Sequence, residues 1–255
     1  MSIVEKYPQG APCWIDLITT DVDGARAFYG ELFGWNYDAY PMPGDATYYM
    51  STIGGKNVAG LMQQPTPDAG PTSWQTYIAV DDAEAAAARV TEAGGTLLFP
   101  VDEIPGSGRM TIALDTEGAR FGVWQTTGHI GSAVVNEHGA PLWHELQSGD
   151  PAAAAAFYSA VLGVEAKTSE VGDISYTELY ADGTSSAGVM PKQSGDEPNV
   201  WLVYFGANDP DETARLAESI GATVLAPAFD IDGVGRMAIL ADPQGGVFAV
   251  MRGES

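Results

Sequence analysis

Trp14 to Trp35 reads WIDLITTDVDGARAFYGELFGW, and Trp143 to Val164 reads WHELQSGDPAAAAAFYSAVLGV. Each copy opens Trp-x-acid-Leu and reaches an Asp seven residues after the Trp. Each then carries Phe-Tyr on a short helical run that ends at Leu-x-Gly or Leu-Gly. The copies start about 129 residues apart, well beyond the roughly 20–50 residues of a solenoid period, so the repeating unit is a whole domain. A second match in the same order supports this: GSGRMTIALDTEG at 106–118 pairs with GVGRMAILADPQG at 233–245. The tetrapeptide Ala59-Gly60-Leu61-Met62 likewise returns as Ala187-Gly188-Val189-Met190.

Each half divides again. In the first, Trp14–Thr19 reads as a strand and Asp21 as a helix N-cap. Ala25, Phe28, Tyr29, Leu32 and Phe33 form an apolar stripe at helical spacing, and Gly34 suits the C-cap. Three strand-like runs follow, at 35–40, 47–53 and 57–62. Residues 63–71 have linker composition, and the pattern restarts at Trp74 with Asp82 as the next cap. The second half repeats this from Trp143 and Trp201. The expected fold is therefore α+β, with four βαβββ modules paired into two tandem domains. The first domain takes residues 10–126 (modules 12–62 and 72–125) and the second 141–252 (modules 141–190 and 199–251), with 127–140 as the connection. Paired modules are expected to form curved mixed sheets that make a cup around a small ligand.

Charge narrows the function. The chain carries 11 basic and 34 acidic residues, a formal net charge of −23, which opposes nucleic acid and anionic membrane surfaces as partners. The expected partner is a small molecule, with the oligomeric state left open. One cysteine, Cys13, precludes an intrachain disulfide. No run approaches the length of a signal peptide core or a membrane span, so a soluble cytoplasmic protein is expected.

The helix signature Asp21…Phe28-Tyr29…Leu32-x-Gly34, its copy Asp150…Phe157-Tyr158…Leu162-Gly163, and Asp242-Pro243-Gln244-Gly245 before a final strand resemble the vicinal oxygen chelate superfamily. That superfamily contains glyoxalase I, extradiol dioxygenases, fosfomycin-resistance enzymes and bleomycin-resistance proteins. The resemblance spans residues 12–251 and is closest to two-domain actinobacterial members. It implies a divalent metal held by His, Gln or Glu from the first and last strands of each module. At those positions stand Trp14, Gln75, Gly122 and Gly60 or Met62 in the first half. The second half has Trp143, Leu202, Ala249 and Gly188 or Met190. Only Gln75 is a ligand type, so neither a metal nor any other cofactor is expected.

The candidate residues are therefore aromatic and acidic. Trp14, Trp74, Trp143 and Trp201 open the four modules and could wall a ligand site. Trp14 shares a strand face with Asp16, and Trp143 with Glu145. Asp16 and Glu145 are the candidate acid–base groups, since a carboxyl in apolar surroundings keeps its proton to higher pH. Gln75, Glu178, Arg109 and Arg236 complete the candidate ligand-binding set. Three functions fit. The first is metal-independent sequestration of an aromatic or cationic ligand, as in bleomycin-resistance proteins. The second is a glyoxalase-like lyase, isomerase or hydrolase using Asp16 or Glu145. The third is a structural or regulatory module with filled cups.

Overall fold

A computed structural model of the chain describes residues 2–66, 70–171, 174–193, 195 and 197–254. Part of the expected linker, residues 67–69, lies outside the described residues. The elements in chain order begin with β1 (Ser2–Ile3), β2 (Pro12–Thr19), α1 (Val22–Phe33), β3 (Asn36–Pro41), β4 (Thr47–Ile53) and β5 (Lys56–Gln63). The second module contributes β6 (Ser73–Ala79), α2 (Ala83–Glu92), β7 (Thr96–Leu97), β8 (Asp102–Ile104), β9 (Gly108–Leu114) and β10 (Arg120–Thr126). After β11 (Val134–Val135) come β12 (Pro141–Ser148), α3 (Pro151–Leu162), β13 (Glu165–Val171), β14 (Ile174–Ala181) and β15 (Thr184–Pro191). The last module holds β16 (Val200–Gly206), α4 (Pro210–Ser219), β17 (Thr223–Ile231), β18 (Gly235–Ala241) and β19 (Val247–Gly253).

Local chemistry places the helices. The Asp21 carboxylate accepts from the Gly24 N–H and starts α1, and Gly34 ends it in the left-handed region at φ 70°. Asp150 and Gly163 do the same for α3. Asp82 and Asp209 cap α2 and α4.

The strands form two large mixed sheets, ordered β3-β4-β5-β2-β6-β10-β9-β7 and β13-β14-β15-β12-β16-β19-β18-β17. In each, the first strands of two modules pair antiparallel at the centre, β2 with β6 and β12 with β16. The expected cups do not form. Neither sheet closes, because the strands at its two ends do not pair with each other. Barrel closure needs an unbroken ring of strand pairs. In the first sheet the edge on β9 is split: β7 pairs at Thr96–Leu97, the Leu98 N–H still reaches the Ile112 carbonyl, and β8 pairs further along, with Pro100, which has no N–H to give, in between. The sheets are open, with helices on one face and side chains filling the other.

The helix faces of the two sheets turn toward each other. One core joins Phe28, Leu32 and Phe33 of α1 to Phe205, Leu240 and Phe248 of the second sheet. The other joins Phe121 and Val123 of the first sheet to Phe157, Tyr158 and Val161 of α3. Modules that share a sheet are consecutive, but each helix core is shared with the opposite half.

Candidate functional site

The opposite, open face of each sheet carries a smaller apolar cluster. In the first it comprises Cys13, Trp14, Tyr77, Ile112 and Trp124, with Met50 and Met110 packed alongside. In the second it comprises Leu202, Tyr204, Met237, Ala249 and Met251, with Leu142, Trp143 and Ile231 alongside. Register explains the membership. Asp16 pairs with Gln75 and Gly60, and Trp14 with Tyr77, and directly paired residues project to one side. The alternate residues Ile15 and Leu17 are fully buried beneath the helices. A register shift between Pro12 and Trp14 recurs between Pro141 and Trp143, so both halves turn their opening Trp onto this face with the same irregularity.

At the centre of the first open face, Asp16 accepts from Tyr48 Oη at 2.6 Å and Trp14 Nε1 at 2.9 Å. Tyr77 stands on the same face, and its hydroxyl helps to hold the carboxyl's pKa down. Trp14 Nε1 also lies 3.0 Å from Tyr48 Oη. The second face repeats the arrangement. Glu145 accepts from Tyr204 Oη at 2.8 Å and Tyr176 Oη at 3.0 Å, and Trp143 Nε1 donates to Tyr176 Oη at 3.0 Å. Burial raises the pKa of both carboxyls above the usual range, and the tyrosine hydroxyls partly oppose that rise. The same burial, with the adjacent acid, pushes the pKa of all four phenols up, so they donate rather than ionise.

The tyrosines occupy the space above residues without side chains. A Cβ added at Gly60 would stand 1.9 Å from Tyr48 Oη and 2.1 Å from Asp16 Oδ1. One at Gly188 would stand 1.8 Å from Tyr176 Oη, and one at Gly122 would stand 2.2 Å from the Tyr77 ring. A divalent ion of the kind this fold family implies would need donors at these places, and Gly60, Gly122, Gly188 and Ala249 have none to give. Among the described residues no group of three or more His, Cys, Asp or Glu is placed to hold a metal ion. The residues present do not fit such a centre.

The other candidate residues disperse. Trp74 and Trp201 lie on the helix faces, where their Nε1 groups donate to Tyr29 Oη at 3.1 Å and Tyr158 Oη at 3.0 Å. They are core residues, not ligand walls, because each pairs in register with a buried leucine, Leu17 or Leu146. Gln75 is buried beside Asp16, with its Nε2 on the Thr76 carbonyl at 2.9 Å. Arg109 reaches Glu84 at 2.7 Å, and Arg236 reaches Asp211 and Asp230 at 2.5 and 2.7 Å. Both thus tie a strand start to nearby surface acids and stand apart from Asp16 and Glu145. Glu178 is on the second open face and accepts from Ser185 Oγ and Tyr180 Oη.

Tyr48, Tyr77, Tyr176, Tyr204 and His129 are site residues the sequence reading missed. The tyrosines had a signal: aligning the halves superposes Tyr48 on Tyr176 and Tyr77 on Tyr204. His129 stands edge-on to Trp14 at a ring separation of 4.5 Å, with its Nε2 buried and unpartnered. Desolvation lowers its pKa to about 4, so the ring is neutral. Cavities of about 220 and 60 Å³ lie beside the clusters, against Trp143 and Trp124 respectively. No helix among the described residues is long and apolar enough to cross a membrane.

The model of the Glyoxalase/Bleomycin resistance protein/Dioxygenase superfamily matches residues 13–123, and that of a glyoxalase-like domain matches 144–251. CFP32 of Mycobacterium tuberculosis (strain CDC 1551 / Oshkosh), provisionally named a glyoxylase, is 42% identical over 251 residues, covering 97% of this chain and 96% of its own. The anthracycline biosynthesis protein DnrV of Streptomyces peucetius is 32% identical over 260 residues, covering 96% and 94%. Among solved structures, the Mn(II)-bound glyoxalase of Novosphingobium aromaticivorans superposes with a TM-score of 0.68 at 17% identity, covering 96% of this chain and 82% of that one. The 2,3-dioxygenase LapB of Pseudomonas sp. KL28 gives 0.68 at 14% identity, covering 97% and 93%.

Proposed function

Because the chain belongs to the glyoxalase/bleomycin resistance protein/dioxygenase superfamily, we propose that it binds an aromatic small molecule on an open sheet face, without a divalent ion. The observation that carries this reading is the capping of Asp16 and Glu145 by tyrosine hydroxyls, with glycines beneath Tyr48 and Tyr176. A carboxyl engaged in this way is a poor metal ligand, while indole, phenol and thioether groups around it suit a flat apolar ring. The product class in the name of the Streptomyces relative supports an aromatic ligand. A cation is less suited, because Glu145 accepts through both oxygens and Asp16 Oδ1 accepts from both a tyrosine and an indole.

Fluorescence titration with planar aromatic compounds tests the reading. Saturable quenching that survives exhaustive dialysis against EDTA, with ligand recovered unchanged, is expected. A stoichiometric divalent ion whose removal abolishes binding would sink it.

A second reading, acid–base catalysis by Asp16 or Glu145, is favoured by the raised pKa of both carboxyls. It requires turnover that disappears in Asp16→Asn or Glu145→Gln.

A further inference from the structure

The two halves differ beside their opening tryptophans. In the first, residues 129–133 of the connection lie along the start of β2 and β5. The Ser132 N–H donates to the Cys13 carbonyl, the Ala133 N–H to the Asn57 carbonyl, and Ser132 Oγ to the Val58 carbonyl. This strap carries His129 onto Trp14. The repeat maps Cys13, Trp14, Asn57 and Val58 onto Leu142, Trp143, Ser185 and Ser186, a mapping fixed by the equivalent registers of Asp16 with Gly60 and Glu145 with Gly188. In the second half those four residues line the cavity of about 220 Å³.

We infer that the ligand site is this cavity beside Trp143, and that it takes a single-ring aromatic heterocycle for which His129 is the built-in counterpart in the first half. The inference rests on the small-molecule-binding reading and moves its site from the Glu145 face to the adjoining cavity, with Trp143 shared by both. The chemistry of the ligand follows from three observations. First, the first half seats a neutral five-membered ring edge-on to its indole. Such edge-to-face contacts need a ring of defined shape and little else. Second, the ring's Nε2 has no partner, so the place recognises the ring and not a particular hydrogen bond. Third, at about 220 Å³ the cavity is below the roughly 300–1,000 Å³ typical of drug-sized ligands, so it encloses about one ring of its occupant. Four of its hydroxyls are engaged: Ser185 with Glu178, Ser186 with the Leu179 carbonyl, Tyr7 with the Ser132 carbonyl and Ser132 with the Val58 carbonyl. The remaining wall is indole, leucine, valine, alanine and proline, with Asn136, Thr184 and the His144 imidazole as further polar side chains.

Imidazole at pH 8 is the probe, titrated into the full-length protein and followed by equilibrium dialysis and tryptophan fluorescence. One mole per chain is expected. Trp143→Ala and Ser186→Leu should each weaken binding at least tenfold, and the second keeps the indole while filling the cavity. His129→Gly vacates the first half and should raise the stoichiometry to two. Thermal melting confirms that each variant is folded. A saturable site that survives both Trp143→Ala and Ser186→Leu overturns the assignment while leaving small-molecule binding intact. A stoichiometry of one in folded His129→Gly overturns the equivalence of the two places. Absence of binding by imidazole together with every larger planar ligand overturns both this inference and the reading beneath it.

Discussion

The Tyr29 hydroxyl donates to Asp242 Oδ2 at 2.9 Å, joining the first module to the last. Its counterpart, Tyr158 Oη on Asp115 Oδ2 at 3.1 Å, joins the third module to the second. Each aspartate also accepts N–H groups of its own turn through Oδ1, from Gln244 and Gly246 or from Glu117 and Ala119. The Phe-Tyr motif and the Asp-x-x-Gly turn are thus two ends of one fastening between the sheets.

Tyr29→Phe should destabilise the chain by about 1–3 kcal/mol, because it leaves Asp242 Oδ2 and Trp74 Nε1 buried without that partner. Tyr158→Phe should cost a similar amount through Asp115 and Trp201. Urea unfolding of both variants checks this, and ligand binding per folded molecule should be unchanged.

Gly60→Ala should cost about 1–3 kcal/mol, the usual range for an overpacked core, since its Cβ would collide with both Tyr48 and Asp16. The Trp14 indole bonds to the same two groups, so its emission should shift as well. Gly44→Ala is a matched control for loss of a glycine: nothing lies within 4 Å of its Cβ position, although its φ of 77° carries a backbone cost of its own. Only Gly60→Ala should perturb Trp14.

Asp16 sets a pH dependence whose sign follows from its raised folded-state pKa. Its contribution to stability is fully present below the unfolded pKa near 4 and is lost as pH rises through the folded value. Asp16→Asn keeps an oxygen for Tyr48 and Trp14 and removes the titration. The variant should therefore be at least as stable as the wild type at pH 8, and the gap should narrow on acidification. Denaturant midpoints from pH 4 to 8 test this.

His144 acts in the opposite direction. It is buried between the sheets with Nδ1 3.3 Å from Thr76 Oγ1, and desolvation lowers its pKa to about 3. The neutral ring is stabilising above the unfolded pKa of about 6.5, and that stability is lost as pH falls toward the folded value. At pH 5 the loss is up to about 2 kcal/mol. The first repeat has Ile15 at this place. His144→Ile should flatten the acid limb of the stability profile, measured by the same denaturant series at pH 5 and 7.

Strand alternation in WIDL and WHEL put Trp14 with Asp16 and Trp143 with Glu145, and these pairs do share a face in the folded protein. The same rule grouped Trp74 with Thr76 and Trp201 with Val203 but did not say which face was the core. Pairing with β2 and β12 decides that, and it sends both indoles under the helices. Arg109 and Arg236 were ambiguous for a similar reason. A long side chain at a strand start takes the nearest acid, here at the start of α2 or in α4 and β17.

The repeat, the four helix caps and the βαβββ order depend on neighbours a few residues apart, so the amino-acid string alone determines them. Whether a sheet closes depends on pairing between its outermost strands. What holds Asp16 and Glu145 depends on tyrosines about 30–60 residues away. Which half is left with a cavity beside its tryptophan depends on where the connection runs. Those outcomes were decided by tertiary structure, because each is a contact between distant segments whose energy exists only once the sheets have packed.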